Sequence, residues 1–172
     1  MKKLYFIATL IFTLSICLGY YVDAPIVKTV GQVHELQNQI TISVFWDILV
    51  NNTVVMITAF MGLFSFGLLA FATLVYNGFM FGQLLKSFIA SQASISVLLA
   101  GTLPHALIEW AAFIIAGAWG LQGIFLLKYI DNRSMAHQFF PKLISDFSIS
   151  VGLVCIAAII EYFVSFKLLG LW

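Results

Sequence analysis

The chain has 172 residues, 62% of them hydrophobic and 9% charged, with a mean hydropathy of +1.06. At this composition a soluble domain would expose far too much apolar side chain, so the sequence reads as an integral membrane protein without room for a soluble catalytic domain. Eight Lys and Arg, a net charge of +1 and no basic run argue against a nucleic-acid partner, which needs a patch of cations against phosphate.

Lys2 and Lys3 open an apolar stretch over residues 4–22 that ends in Gly-Tyr-Tyr-Val. Its near-span length and aromatic anchors predict a retained first helix in preference to a cleaved signal. Residues 23–50 are the most polar part of the chain. Val33, Leu36, Ile40, Val44 and Ile48 recur there at three- and four-residue steps against Glu35, Gln37, Asn38 and Ser43. That pattern predicts an amphipathic helix in the membrane interface, with Phe45 and Trp46 near the headgroups; a packed extramembrane helix is the alternative.

Asn51, Asn52 and Thr53 have the chemistry of a helix cap and predict the start of a second span over residues 53–76. Gly62 and Gly67 are its expected close-packing points. Asn77 then precedes Gly78 and Gly82, a GxxxG spacing that lets another backbone approach closely. Residues 88–103 are apolar but short, and read as a short or re-entrant span. If they cross, Lys2, Lys3, Lys86, Lys128, Arg133 and Lys142 share one side, and Lys28 and Lys167 the other. The excess of cations on cytoplasmic loops then gives five crossings in the cell membrane with the N-terminus in the cytoplasm.

The fourth span, residues 104–127, is the centre of the reading. Pro104 suits the first turn of a helix, where its missing N–H costs little. His105 and Glu109 follow four residues apart, and their stripe continues through Ala112, Ala116 and Gly120. Small residues at this spacing admit a neighbouring backbone, so this face is expected to point at protein. The opposite face, with Leu107, Trp110, Phe113, Ile114 and Leu121, suits lipid or an apolar neighbour. Residues 129–146 read as a polar connector containing Pro141, and the last span, residues 147–169, carries Glu161 within reach of the headgroups. Cys17 and Cys155 lie inside apolar runs, which gives no disulfide framework.

Asn51-Asn52, the glycine-spaced second span, Asn77-Gly78 with Gly82, Leu103-Pro104-His105 with Glu109, and Ala116-Gly117 with Gly120 together resemble the stage II sporulation protein M family of multi-pass membrane proteins. The likeness covers residues 50–127. Ala106 stands where many members have Gly after the Pro-His pair. The resemblance implies a component of a membrane complex. The family name comes from a protein of spore formation, and short members accompany circular-bacteriocin gene sets, where maturation, export or self-protection is the implied role.

An exposed charge at the membrane midplane costs roughly 2.5 kcal/mol or more, so His105 and Glu109 require a reason. One reason is structural: hydrogen bonds to Asn51, Asn52 or Asn77 that hold the bundle together. A second is a path or docking site for a proton, lipid or hydrophobic peptide. The third is an intramembrane hydrolase or ligase with Glu109 and His105 as its catalytic candidates. Against the third, HExxH is absent, His34 and His137 lie in polar connectors, and Cys155 has no evident base. Ser91, Ser94 and Ser96 read as helix packing.

The expectation is therefore an all-α bundle of five spans forming a single membrane domain, with no metal or cofactor. Asn51, Asn52, Asn77, His105, Glu109 and Glu161 form its polar cluster. Gly62, Gly67, Gly78, Gly82, Pro104, Ala112, Ala116, Gly117 and Gly120 are its packing positions. The expected partners are the bilayer, other membrane proteins or a second copy, and a hydrophobic peptide. With no phosphate-binding loop in the sequence, any ATPase is another chain.

Overall fold

The computed structural model describes residues 1–22, 41–90, 101–126 and 133–168, without the side chains of residues 133–136 and 138. Within them five helical stretches are long and apolar enough to cross a membrane: Lys2–Tyr21, Ile42–Phe64, Leu68–Ala90, Leu103–Phe125 and Phe139–Leu168. We label the helices α1 (Lys2–Tyr21), α2 (Ile42–Met61), α3 (Leu68–Ala90), α4 (Leu103–Leu121) and α5 (Arg133–Ile160). A 3-10 turn, Gln122–Phe125, extends α4, and a π-helical turn, Glu161–Ser165, extends α5 into Phe166–Leu168. The described residues contain no strand, so the all-helical membrane bundle expected from the sequence is the fold.

Several boundaries differ from the sequence expectation. The apolar run over residues 53–76 is not one span. It breaks at a hairpin in which α2 ends at Met61, Gly62–Phe64 makes a 3-10 turn, and Gly67 takes a φ of +87°. Glycine reaches that conformation without a Cβ clash. The turn closes through Gly67 N–H to Gly62 O at 2.8 Å, and Ser65 Oγ accepts from the Leu69 N–H at 3.1 Å to start α3. Gly62 and Gly67 are thus primarily turn residues, although Gly62 also abuts Ala70 and Gly120.

Asn51, Asn52 and Thr53 consequently lie inside α2 and do not cap it; Thr41 holds the N-cap position. Of the expected interfacial helix, residues 23–40 lie outside the described residues and residues 42–50 belong to α2. Phe45 packs edge-on against Tyr162 inside the bundle, with ring centroids 5.7 Å apart. The expected short span over residues 88–103 falls mostly on residues 91–100, outside the described ones.

The last helix also starts earlier than expected, since part of the predicted connector is helical and Pro141 sits inside α5. Of the polar residues that suggested a connector, Asp146 is satisfied within the bundle. Asp146, 6% exposed, accepts from the Tyr5 hydroxyl at 2.6 Å, the Trp119 indole at 2.8 Å and the Lys142 ammonium at 3.1 Å. One carboxylate thereby ties α1 and α4 to α5 at the end of the bundle that holds the N-terminus.

Helix α4 touches each of the other four helices. Ala112, Ala116 and Gly120 lie on its buried side, with Gly120 against Ala59 and Ala70 and Gly117 against Leu74. Phe113 and Leu121, on the face expected to meet lipid or an apolar neighbour, are 5% and 7% exposed and belong to the core, so the neighbour is protein. Leu107, at 56%, is its outward residue. Dispersion between closely approaching surfaces, not expulsion of water, drives helix association in lipid. The α1–α3 contact shows how: Gly78 and Gly82 face Phe12, Ser15, Ile16 and Gly19 directly. At the end of α1, the Gln83 amide donates to the carbonyls of Gly19 and Val22, the latter at 2.8 Å.

A Cβ at Gly78 would stand 2.6 Å from the Phe12 carbonyl oxygen, and one at Gly82 2.7 Å from the Tyr20 nitrogen. Gly78→Leu and Gly82→Leu are expected to destabilise the protein by about 1–3 kcal/mol or more, as overpacked contacts do. Gly152→Leu, with nothing within 4 Å of its Cβ position, is the control. Thermal unfolding in detergent checks this, and equal midpoints for all three variants would reject the close α1–α3 contact.

Candidate functional site

Leu103, Pro104 and the next turn set the geometry of the polar end of α4. Pro104 sits in the first turn after Thr102, whose carbonyl accepts from Ala106 N–H at 3.1 Å. From this start His105 and Glu109 project four residues apart, yet each meets a different neighbour. His105 Nδ1 lies 3.0 Å from Ser165 Oγ, and its Nε2 lies 3.9 Å from Glu161 Oε2. Glu109 faces α2 and accepts a short hydrogen bond from the Asn52 amide. Asn51 in turn donates to Asn52 Oδ1 at 3.3 Å.

Asn77 is placed differently. Its amide nitrogen bonds back to Thr73 O at 2.8 Å, so it does not reach Glu109, but it lines the same cleft. That cleft, of about 430 Å³, is bounded by Asn51, Asn52, Asn77 and Glu109 on its polar side. Phe12, Met80, Phe81, Leu84, Trp110 and Phe113 complete it. Trp110 forms the centre of the apolar wall, with Phe81 edge-on at 4.5 Å between centroids and Phe12 at 5.6 Å. A second cleft, of about 360 Å³ and lined by Ile57, Phe60, Leu63 and Phe147 among others, has no polar wall.

The π-helical turn carries both Glu161 and Ser165, and π-turns recur at functional sites. Here it sets two oxygens against one imidazole. The order Ser165, His105, Glu161 has the residue types of a nucleophile, base and orienting acid, but not the layout of a hydrolytic site. Ser165 is fully buried, lines neither cleft, and the imidazole–carboxylate separation exceeds hydrogen-bond distance. A reacting bond needs a position within about 3 Å of the nucleophile. Among the described residues no group of three or more His, Cys, Asp or Glu is arranged to hold a metal ion.

His34 lies outside the described residues, and His137 is exposed. Sequence reasoning missed Ser165 and Gln83, although each had a readable signal: Ser165 follows Glu161 by one helical turn, and Gln83 adjoins Gly82. It also missed the aromatic wall, because the face with Trp110 reads in sequence as one for lipid or an apolar neighbour, not as the lining of a cleft.

Comparison with known proteins agrees with this architecture. The profile of the family described as stage II sporulation protein M matches residues 8–166. An uncharacterized protein of Methanocaldococcus jannaschii is 29% identical over 128 residues, covering 72% of each chain. No solved structure matches.

Removing the Glu109 acceptor strands the Asn52 amide in a medium that cannot replace the bond. Glu109→Leu is therefore expected to cost about 1–3 kcal/mol, while Glu109→Gln keeps an acceptor oxygen and stays within about 0.5 kcal/mol of the parent. Leu107→Ala, at an exposed position of the same helix, gives the baseline. Chemical or thermal unfolding in micelles measures all three, and a Glu109→Leu protein as stable as Leu107→Ala would refute the cross-helix bond.

Proposed function

We propose, for a chain that belongs to the stage II sporulation protein M family, the role of a non-enzymatic subunit of a membrane assembly that takes an apolar polypeptide segment into the Glu109 cleft. The observation that carries this reading is the cleft itself. It places an intramembrane carboxylate and three amides beside an aromatic wall and leaves them room for a guest. A purely structural polar pair would close on itself, as the Asp146 cluster does at the other end. Intramembrane polar residues that line a cavity mark binding or transport sites.

The guest is a helix of a partner subunit or a hydrophobic cargo peptide. The precursor of a circular bacteriocin is the cargo to try first, given where short members of the family occur. The buried position of Ser165 and the separate neighbours of His105 and Glu109 favour binding over bond cleavage. With Leu68–Ala90 as the third crossing, in place of residues 88–103, Lys86 changes sides, and five crossings in chain order put Lys2, Lys3, Lys128, Arg133 and Lys142 on one side and Lys28, Lys86 and Lys167 on the other. The more cationic side is cytoplasmic, which supports a cytoplasmic N-terminus in the cell membrane and a cleft nearer the outer face.

Photo-crosslinking tests the reading. A diazirine side chain at Met80, inside the cleft, is expected to capture one polypeptide of defined mass in native membranes, and Glu109→Leu is expected to abolish the capture. The same group at Val54, 56% exposed and outside the cleft lining, captures lipid. Lipid adducts alone at both positions would contradict the proposal.

A further inference from the structure

We infer that the Glu109 cleft recognises a positively charged nitrogen, the ammonium of Lys or the guanidinium of Arg, carried on an otherwise apolar polypeptide segment. This rests on the reading that a polypeptide enters the cleft, and adds what that polypeptide must carry.

The first ground is an imbalance between donors and acceptors. Each amide nitrogen at the polar wall already donates into the protein: Asn51 to Asn52, Asn52 to Glu109, and Asn77 to Thr73. The oxygens are less used. Among the described residues, Asn51 Oδ1, Asn77 Oδ1 and Glu109 Oε2 accept no hydrogen bond, and all three residues line the cleft. The wall therefore asks for a ligand rich in N–H donors. An ammonium brings three donors and no acceptor, and a guanidinium brings five. A hydroxyl or an amide would bring acceptors that find few donors here.

The second ground is charge. Among the described residues neither Glu109 nor Glu161 is ion-paired with a Lys or Arg; the His105 imidazole lies 3.9 Å from Glu161. In a medium of low dielectric, a carboxyl group without a cationic partner favours an added cation over an added neutral group. The contrast with Asp146 is direct, because that carboxylate has Lys142 at 3.1 Å from its own helix. At the Glu109 end no Lys or Arg of the described residues supplies the counter-charge.

The third ground is the aromatic lining. Trp110, which follows Glu109 on α4 and has Phe81 and Phe12 packed against it, adds an aromatic surface to the lining of the same cleft, and aromatic faces attract cations. Acid and indole in one lining select an organic cation, whose methylene stem fits the apolar residues as the charged head reaches Glu109. Glu109 lies six residues after Leu103, about 9 Å along the helix axis. The cationic residue of the guest therefore sits at that depth, about a third of the way across the hydrocarbon.

The test uses the full chain in nanodiscs of phosphatidylcholine and a fluorescent model helix of Leu and Ala with one Lys about six residues from its end, a placement set by helix rise. The comparison peptide has Leu at that position. The Lys peptide is expected to bind about tenfold tighter or more, a difference of about 1.4 kcal/mol. Glu109→Gln is expected to erase the difference and Trp110→Leu to narrow it. Met80→Lys supplies an ammonium from the cleft's own wall, so it should exclude the Lys peptide, and it keeps the inference testable if another variant fails to fold. Equal affinities for the two peptides, or no binding of either, would overturn the inference. The Met80 crosslink then decides separately whether the polypeptide reading falls with it. Loss of Lys-peptide binding when phosphatidylethanolamine replaces phosphatidylcholine would show that the cation recognised is a lipid headgroup, which also overturns it.

Discussion

An ionisable side chain inside hydrocarbon must find its partners in the protein, and in this chain that requirement falls on α4. His105 and Glu109 cannot face lipid without a cost of several kcal/mol, so their helix has to be enclosed, and it contacts every other helix of the bundle. The small residues below them follow from the same demand. With Ala112, Ala116, Gly117 and Gly120 on the enclosed surface, neighbouring backbones come close enough for dispersion to hold them in the absence of a hydrophobic force. The bond between Asn52 and Glu109 and the contact between His105 and Ser165 then fix α2 and α5 to α4 at one level.

Polar groups gather in two layers, and their difference separates structure from function. In the layer near the N-terminus Asp146 has three donors from Tyr5, Trp119 and Lys142. Nothing there asks for a ligand. In the layer at the start of α4 the acceptors outnumber the donors, no Lys or Arg is ion-paired with Glu109 or Glu161 among the described residues, and a cleft adjoins Glu109. The contrast gives the proposed site a physical basis that family membership alone does not supply.

Much of this was legible in the sequence. A His and a Glu four residues apart in an apolar run already implied a protein-facing helix, and Asn52 was among the amides considered as partners. The GxxxG pair at Gly78 and Gly82 read as a close contact and lies in one, against α1. The hairpin at Gly62–Phe64 did not show, because both arms are apolar and a glycine that turns the chain looks, in sequence, like one that packs helices. Asp146 was hidden for a related reason. Within a polar stretch beside Pro141 it resembled loop chemistry, and only the approach of Tyr5 and Trp119 from elsewhere in the chain makes it part of a span. For the face with Phe113 the sequence left lipid and an apolar neighbour open, and only the packing of the other four helices around α4 decides for the neighbour.

The most direct measurement of the central claim is a double-mutant cycle between Asn52→Ala and Glu109→Ala, read as unfolding free energy in a bilayer-like medium. The account predicts a coupling of about 0.6–1.7 kcal/mol, the range of interhelical hydrogen bonds in membranes. Strict additivity of the two substitutions would mean that α2 and α4 are not joined through this pair, and would contradict the site built on it.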